Sequence, residues 1–278
     1  TTAVTRAKNV RGGATRRRRL PCGPGPPGRY AWGRMNAPFP DPRATRQPVL
    51  NLPPVVSVLI AVLLAIHVVR VFWLSQSADL QVLIDFAFIP LRTFQPDLLG
   101  DMAPGGARLW SFLTYAFLHA DWAHVGINCV WIAAFGTPVA RRFGPMRFLA
   151  LSAVGAIAGA ILHLAINPNS TVPMVGASAA ISAQMAAACR FVFQPGGPLW
   201  GYQGAGVRHL PASSLMEGFR DRRAVTFIAV WFGINLVFGL LGGGGLSSGA
   251  IAWDAHIGGF VAGLLLFPLF DPVPARRA

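Results

Sequence analysis

The sequence predicts an all-α membrane protein whose chain crosses the bilayer six times. Apolar residues make up 53% of the 278 residues and charged residues only 12%. Ordinary soluble domains contain about twice that share of charged residues. The apolar residues are concentrated in six runs, several of which approach or exceed the roughly eighteen residues that a membrane helix needs. Basic and non-basic connections alternate between these runs, as they do in polytopic membrane proteins.

The spans are read from the apolar runs in order along the chain. The first follows a Pro- and Gly-rich N-terminal part, and the long connection 75–123 separates it from the second. Several later runs are short or interrupted by glycine, which is typical of membrane helices that pack closely. The predicted spans are 54–74, 124–140, 146–166, 176–193, 225–241 and 255–270.

The charges of the connections predict the orientation of the spans. Arginines lie before the first span, between the second and third, between the fourth and fifth, and at the C-terminus. The connection 75–123 instead carries five aspartates against two arginines, and 167–175 carries no charge. Because basic loops stay on the cytoplasmic side, both termini are predicted to be cytoplasmic. The compact layout and the arginine-rich composition indicate the inner (plasma) membrane of a bacterium.

Composition also predicts the domain division. Residues 1–48 hold eleven of the 24 basic residues, one acid and many prolines and glycines, so we expect a disordered cytoplasmic tail. Contact of this tail with RNA or anionic lipid is the alternative, but a solvated tail is favoured and no nucleic acid is expected. Residues 1–34, which precede a methionine, are hypothesised to come from an over-extended start. The membrane domain is 49–274, and 275–278 form a short cytoplasmic C-terminus.

Three polar side chains from three spans are predicted to lie at one depth. The fourth and sixth spans both enter from the non-cytoplasmic side. At about 1.5 Å per residue, Ser178 lies about 18 Å and His256 about 22 Å from the cytoplasmic ends of their spans. Asn128 in the second span lies about 20 Å above Arg141. Because polar groups inside a bilayer normally face a cavity or each other, these three are predicted to meet.

Such a set matches the requirements of peptide hydrolysis: a nucleophile, a base and donors for the oxyanion. Ser178 is the candidate nucleophile and His256 the candidate general base, because a neutral imidazole accepts protons near physiological pH. Asn128, His124 one helical turn before it, and the backbone N–H of Ser178 are candidate oxyanion donors. No acid that would orient the histidine is evident, since Asp254 is two residues away and points to another face.

Glycines accompany the serine and the histidine. Gly176 precedes the serine by two residues, and Gly259 and Gly263 follow the histidine at helical spacing. Small residues at such positions let one membrane helix approach another closely, so these three glycines are predicted to support the packing of the site.

Four segments carry motifs in a characteristic order. HADWAHVGIN contains His119, His124 and Asn128, and FGTPVARRFG follows it. GAS stands at 176–178 and AHIGGFVAG at 255–263. In combination and order, these segments resemble the rhomboid family of intramembrane serine proteases, at the family's spacing and over about residues 50–272. The resemblance implies a six-span rhomboid-like bundle of the bacterial type with a partly inserted first loop.

The resemblance also implies a function. It implies a Ser–His dyad of Ser178 and His256, with Asn128 and His124 helping to bind the oxyanion, and neither cofactor nor metal. Its substrates would be single-pass transmembrane proteins that enter sideways from the lipid bilayer and are cut near the non-cytoplasmic face. We expect Trp110 and Tyr115 of the first loop at headgroup depth. No oligomeric state is indicated.

Four positions depart from the family's pattern. Ala179 stands where glycine usually follows the nucleophile, and Ser182 stands where an aromatic residue often supports the histidine. Ser111 replaces the usual arginine of the first loop, and Ala140 replaces the usual glutamate at the end of the second helix. A proteolytically weak or silent relative that binds membrane helices is therefore the main alternative.

Two other classes would use the same residues differently. A zinc site of His119, His124 and His256 is disfavoured, because no HExxH motif occurs and the first two lie on different helix faces. Transporters tend to show paired halves around a midplane site, and no such repeat is evident. The sequence therefore predicts a membrane protease.

Overall fold

The computed structural model describes residues 51–95, 104–194, 197, 210–241 and 252–274. The predicted segments 1–48 and 275–278 lie outside the described residues. Apart from one isolated β-bridge, the regular structure of the described part is helical. Its helices are α1 Pro54–Phe72, α2 Gln76–Phe86, α3 Pro90–Phe94, α4 Ala107–Thr114, α5 Trp122–Trp131, α6 Thr137–Phe143, α7 Pro145–Ile166, α8 Ser178–Cys189, α9 Leu215–Arg220, α10 Arg222–Leu241 and α11 Trp253–Phe270.

Helices lie at all six positions predicted as spans, which confirms the all-α membrane bundle. In the part of the chain that the structure describes, four helices are long and apolar enough to cross a membrane. A further apolar helix, α8, is shorter, with 12 residues. The count of six spans stays a prediction. The four long helices are Pro54–Phe72, Trp122–Phe143, Pro145–Ile166 and Trp253–Phe270.

The helix that matches the predicted second span contains a π-helical segment. This segment, Ile132–Gly136, joins α5 to α6 within the continuous helix Trp122–Phe143. Gly144 then adopts a φ of 78°, and Pro145 begins α7 at a position where its missing N–H costs no helical hydrogen bond. Glycine and proline thus separate the second span from the third.

Close backbone contacts enclose α8. Every residue from Ala179 to Cys189 is buried. A Cβ built on Gly259 of α11 would lie 2.1 Å from the carbonyl oxygen of Ala179. One turn further, a Cβ on Gly263 would lie 2.4 Å from the carbonyl oxygen of Ala183. Only glycine fits at these two positions, so the backbones of α8 and α11 come into direct contact.

A buried ion pair joins the ends of α6 and α11. The guanidinium of Arg142 donates to both carboxylate oxygens of Asp271, at 2.9 and 2.8 Å. Its third nitrogen donates to the carbonyl oxygen of Leu210 at 2.9 Å. Buried charges are tolerated only when they are paired and hydrogen-bonded in this way, so the contact fixes the two helix ends together.

The first connection packs against the segment that leads into α8. Phe88 and Met174 exchange two backbone hydrogen bonds of 3.1 and 2.8 Å. Tyr115 is 1% exposed, and its hydroxyl donates to the carbonyl oxygen of Ala156 at 2.8 Å. The Tyr115 hydroxyl thus finds its partner inside the protein, while the expected headgroup depth of Trp110 and Tyr115 stays a prediction.

Candidate active site

The predicted nucleophile and base are in hydrogen-bond contact. The Nε2 of His256 lies 2.7 Å from the Oγ of Ser178, although 78 residues separate them along the chain. Ser178 is the first residue of α8, and His256 lies in the first turn of α11. The close approach at Gly259, one turn below His256, sets the separation of the two helices.

The turn before Ser178 depends on Gly176. Its φ of 121° is a backbone conformation that residues with a side chain rarely adopt. A Cβ at this position would lie 2.6 Å from the Nε2 of His124 and 3.7 Å from the Oγ of Ser178. The N–H of Gly176 donates to the carbonyl oxygen of Tyr115 at 3.0 Å. Gly176 thus brings the imidazole of His124 close to the candidate nucleophile.

His119 supports this turn. Its Nε2 accepts a hydrogen bond from the N–H of Ala177 at 3.4 Å. Burial, with the neighbouring His124, lowers the pKa of His119 to about 3, so the ring is neutral and able to accept. In the described part of the chain, no three His, Cys, Asp or Glu side chains are grouped as a metal ion requires.

The two predicted oxyanion donors are held differently. The side-chain amide of Asn128 donates to the carbonyl oxygen of His124 at 2.8 Å, within its own helix. The Nδ1 of His124 accepts from the N–H of Ala120 at 3.4 Å, which leaves the proton of the neutral ring on Nε2. Asp121 caps α5 by accepting from the N–H of His124 at 2.7 Å. The Nε2 proton of His124 therefore lies beside the turn that carries Ser178.

Sequence reasoning missed a partner of the histidine on α10. The Oδ1 of Asn235 is within hydrogen-bond distance of the Nδ1 of His256. The amide nitrogen of Asn235 donates to the carbonyl oxygen of Trp231 at 2.8 Å. Residue counting along α10 would have found this side chain. Asn235 lies thirteen residues after Arg222, which is about 20 Å along a helix and puts it at the same depth as Ser178 and His256.

Asp254 bonds to α7 rather than to His256. Its carboxylate lies 2.9 Å from the Nδ1 of His163 and accepts from the amide of Asn167 at 2.5 Å. This arrangement agrees with the expectation that Asp254 points to another face than His256. The contact ties the end of α7 to the beginning of α11.

A cavity of about 620 Å³ opens beside the serine and the histidine. Ile127 of α5 and Val230 and Ile234 of α10 line it and are also 47%, 56% and 50% exposed. Exposed apolar faces of membrane helices contact lipid, so the cavity borders a lipid-facing surface between α5 and α10. The polar lining includes Ser178, His256, Asn128, His124 and Asn235, and the apolar lining includes Trp131, Met185, Phe227 and Trp231.

The positions that depart from the family's pattern are accommodated in the fold. The methyl group of Ala179 packs where α7 has no side chain: a Cβ on Gly159 would lie 2.5 Å from the Cβ of Ala179. The hydroxyl of Ser182 donates to the carbonyl oxygen of Ser178 at 2.7 Å. The other two positions, Ser111 and Ala140, are buried.

The fold and this site define a polytopic helical membrane protein in which a serine and a histidine are paired beside a cavity. Residues 106–271 match the Rhomboid domain. This match covers more than half of the chain, and the chain therefore belongs to the rhomboid family, as the motifs indicated.

Curated relatives agree with this assignment over shorter stretches. The chain is 35% identical over 94 residues to "RHOMBOID-like protein 12, mitochondrial" of Arabidopsis thaliana, covering 28% of each. It is 34% identical over 82 residues to "Rhomboid-related protein 3" of Homo sapiens, covering 29% of this chain and 20% of the relative. It is also 30% identical over 69 residues to "Rhomboid-like protein 16, chloroplastic" of Arabidopsis thaliana, covering 25% and 21%.

The chain spans about a quarter of the length of these relatives. Two of their names refer to mitochondria and chloroplasts. The chain is a multi-pass membrane protein, whereas the bacterial plasma membrane and the cytoplasmic location of both termini stay predictions.

Proposed function

We propose that the chain is an intramembrane serine endopeptidase that cleaves single-pass transmembrane proteins with a dyad of Ser178 and His256. The observation that carries the proposal is the 2.7 Å contact between His256 Nε2 and Ser178 Oγ beside a cavity. A base at this distance from a hydroxyl can take its proton during nucleophilic attack. Membership of the rhomboid family supports the same class of reaction.

The reaction proceeds in two halves. Ser178 Oγ attacks the carbonyl carbon of the scissile peptide while His256 Nε2 takes the hydroxyl proton, and the carbonyl oxygen becomes an oxyanion. The tetrahedral intermediate collapses, the C–N bond breaks, and His256 gives the proton to the leaving amine. Water then attacks the acyl-enzyme with His256 again acting as base, which releases the acid product and restores Ser178.

The oxyanion is bound by donors around the turn before α8. Ser178 is the first residue of α8, so the helix offers no carbonyl partner to its N–H. The Nε2–H of His124 lies beside Gly176, since a Cβ at Gly176 would be 2.6 Å from this nitrogen. One of the two N–H groups of the Asn128 amide is bonded to the carbonyl oxygen of His124, so a single N–H of Asn128 remains for the oxyanion. We therefore assign the larger share of oxyanion binding to His124.

His124→Ala is expected to lower kcat about 100-fold, the effect of removing one donor from an oxyanion site, whereas Asn128→Ala lowers it about tenfold. The KM for a single-pass reporter stays within about twofold in both variants, because these donors act on charge that develops only in the transition state. Cleavage rates in liposomes measure the difference. A larger loss in Asn128→Ala than in His124→Ala would refute this assignment.

The substrate reaches the dyad from the lipid. The cavity beside Ser178 borders the exposed apolar faces of α5 and α10, including Ile127 and Val230. A single-pass helix that diffuses in the bilayer can enter there without leaving the membrane. The scissile peptide must then unwind locally, because a helical peptide bond keeps its N–H and C=O in intrahelical hydrogen bonds. The predicted orientation puts the cut near the non-cytoplasmic face.

The direct test is covalent capture of the nucleophile. A fluorophosphonate probe is expected to label the purified protein at Ser178 and to leave Ser178→Ala unlabelled, because only an activated serine displaces the fluoride. Ser152→Ala is the matched control: this buried serine of α7 bonds to Phe148 and Gln184, and its replacement is expected to leave labelling intact. Mass spectrometry of the labelled peptide identifies the site.

The same experiment separates the proposal from a silent relative that binds membrane helices. The bond of the Asn128 amide to its own helix favours that alternative, because it occupies one of the two N–H donors of this amide. A silent relative or a transporter would show no labelling above the Ser178→Ala background. That result would overturn the proposed function.

A further inference from the structure

We propose that Asn235 of α10 is a positioning residue that holds His256 in the tautomer required of a base. The inference rests on the proposed function and adds a third member, from a different helix, to the Ser178–His256 pair. A dyad needs an imidazole whose Nε2 is unprotonated and directed at the serine, and the neutral ring has one proton that must then lie on Nδ1. An acceptor at Nδ1 favours this tautomer, as the orienting group of hydrolase triads does.

The contacts of Asn235 fix which way its amide faces. The carbonyl oxygen of Trp231 can only accept, so the group 2.8 Å from it must be the NH2 of Asn235. The Oδ1 of the same amide then faces the Nδ1 of His256 and can only accept a proton from it. All the hydrogen bonds in this series therefore point the same way. The Oγ of Ser178 donates to Nε2 of His256, and Nδ1 of His256 donates to Asn235.

Packing holds α10 in the place that this contact requires. Asn235 is 8% exposed, whereas its neighbours Ile234 and Leu236 are 50% and 44% exposed on the lipid-facing side. One turn below, the ring of Trp231 stacks on Phe260 of α11 with centroids 4.9 Å apart. A polar side chain turned inward on an apolar helix must find a partner there.

The carboxylate nearest to His256 in sequence, that of Asp254, already has hydrogen-bond partners on another helix. Asp254 is bonded to His163 and Asn167 of α7. A neutral amide therefore takes the orienting position. An amide fixes the tautomer without the charge that would favour the imidazolium, so it leaves the histidine unprotonated over a wider pH range than a carboxylate would.

The first experiment reads the tautomer without using activity. Protein labelled with nitrogen-15 at histidine is studied by NMR in micelles, and His256→Ala assigns the His256 signals. At a pH at which the ring is neutral, we expect Nδ1 protonated and Nε2 unprotonated in the native chain and in Asn235→Asp, and loss of this preference in Asn235→Ala. A native Nδ1 without a proton, or an unchanged tautomer in Asn235→Ala, overturns the inference.

The second experiment is the pH dependence of labelling by the fluorophosphonate probe. Asn235→Ala is expected to slow labelling about tenfold, the loss of one hydrogen bond. In Asn235→Asp the carboxylate stabilises the imidazolium, so the rise of labelling with pH moves to higher pH by about one unit or more. Val237→Ala, an exposed change on the same helix, is the control and leaves the rate and the profile unchanged.

The outcomes distinguish this inference from the proposed function. Equal slowing in both Asn235 variants with an unmoved profile would mean a structural role and would overturn the inference, while labelling of the native chain still supports the protease. Absence of labelling in the native chain would refute the protease, and the NMR measurement would still decide whether Asn235 orients His256.

Discussion

Replacing Ser178 or His256 by alanine is expected to lower cleavage of a single-pass transmembrane reporter by at least about 10³-fold, because each change removes a group that the bond-making step cannot replace. The measurement is the cleavage rate in liposomes that contain purified protein and reporter. The matched control, Ser152→Ala, is expected to retain native activity because its hydroxyl bonds only within the contact of α7 with α8.

The double variant sharpens this prediction. Groups that act as a unit are strongly non-additive, so the combined Ser178→Ala and His256→Ala change is expected to cost no more than either single change. Additive losses would mean that the two residues act separately. Cleavage that survives in both single variants would exclude the dyad altogether.

Gly259→Ala is expected to destabilise the protein by about 3 kcal/mol, the upper part of the range for overpacking, and to reduce cleavage as well. The added Cβ would lie 2.1 Å from the carbonyl oxygen of Ala179, a backbone atom that no side-chain rotation can remove. The helices α8 and α11 must therefore separate, and with them Ser178 and His256. The midpoint of unfolding by sodium dodecyl sulfate and the cleavage rate measure the two effects.

Gly233→Ala provides the matched control for this change. Gly233 also lies in an apolar helix, α10, but a Cβ there would meet nothing within 4 Å. Because alanine favours the helix over glycine by up to about 1 kcal/mol, we expect this variant to be as stable as the native chain or slightly more stable. Similar destabilisation in both variants would show that the contact of α11 with α8 is not the cause.

Much of the fold could be predicted from apolar runs and glycines. Spans long enough for a membrane must be apolar along their length, which is why helices lie where the runs stand. The glycines at 259 and 263 could be predicted to pack because small residues at helical spacing have few other uses in a membrane helix. The π-helical segment Ile132–Gly136 could not be predicted, because an apolar run indicates a helix but not its hydrogen-bond pattern.

The site was predictable where a motif surrounds each residue. Ser178 and His256 stand in recognisable segments, and counting residues brought them to one depth. Asn235 has no motif around it and lies 21 residues before its partner, so only the same counting on α10 would have revealed it. The hydrogen bond of Asn128 to His124 could not be predicted, since an asparagine in a helix can face its own backbone or a neighbour.

The composition of α8 has a consequence for conformational entropy. Six of its twelve residues are alanine, and alanine loses no rotamer freedom when it is buried. These six residues of the helix that carries Ser178 are thus ordered at no cost in side-chain entropy, and the backbone contacts at Gly259 and Gly263 hold the helix in place. The nucleophile is therefore carried by a helix that fewer side-chain rearrangements can displace than a helix packed through long side chains alone.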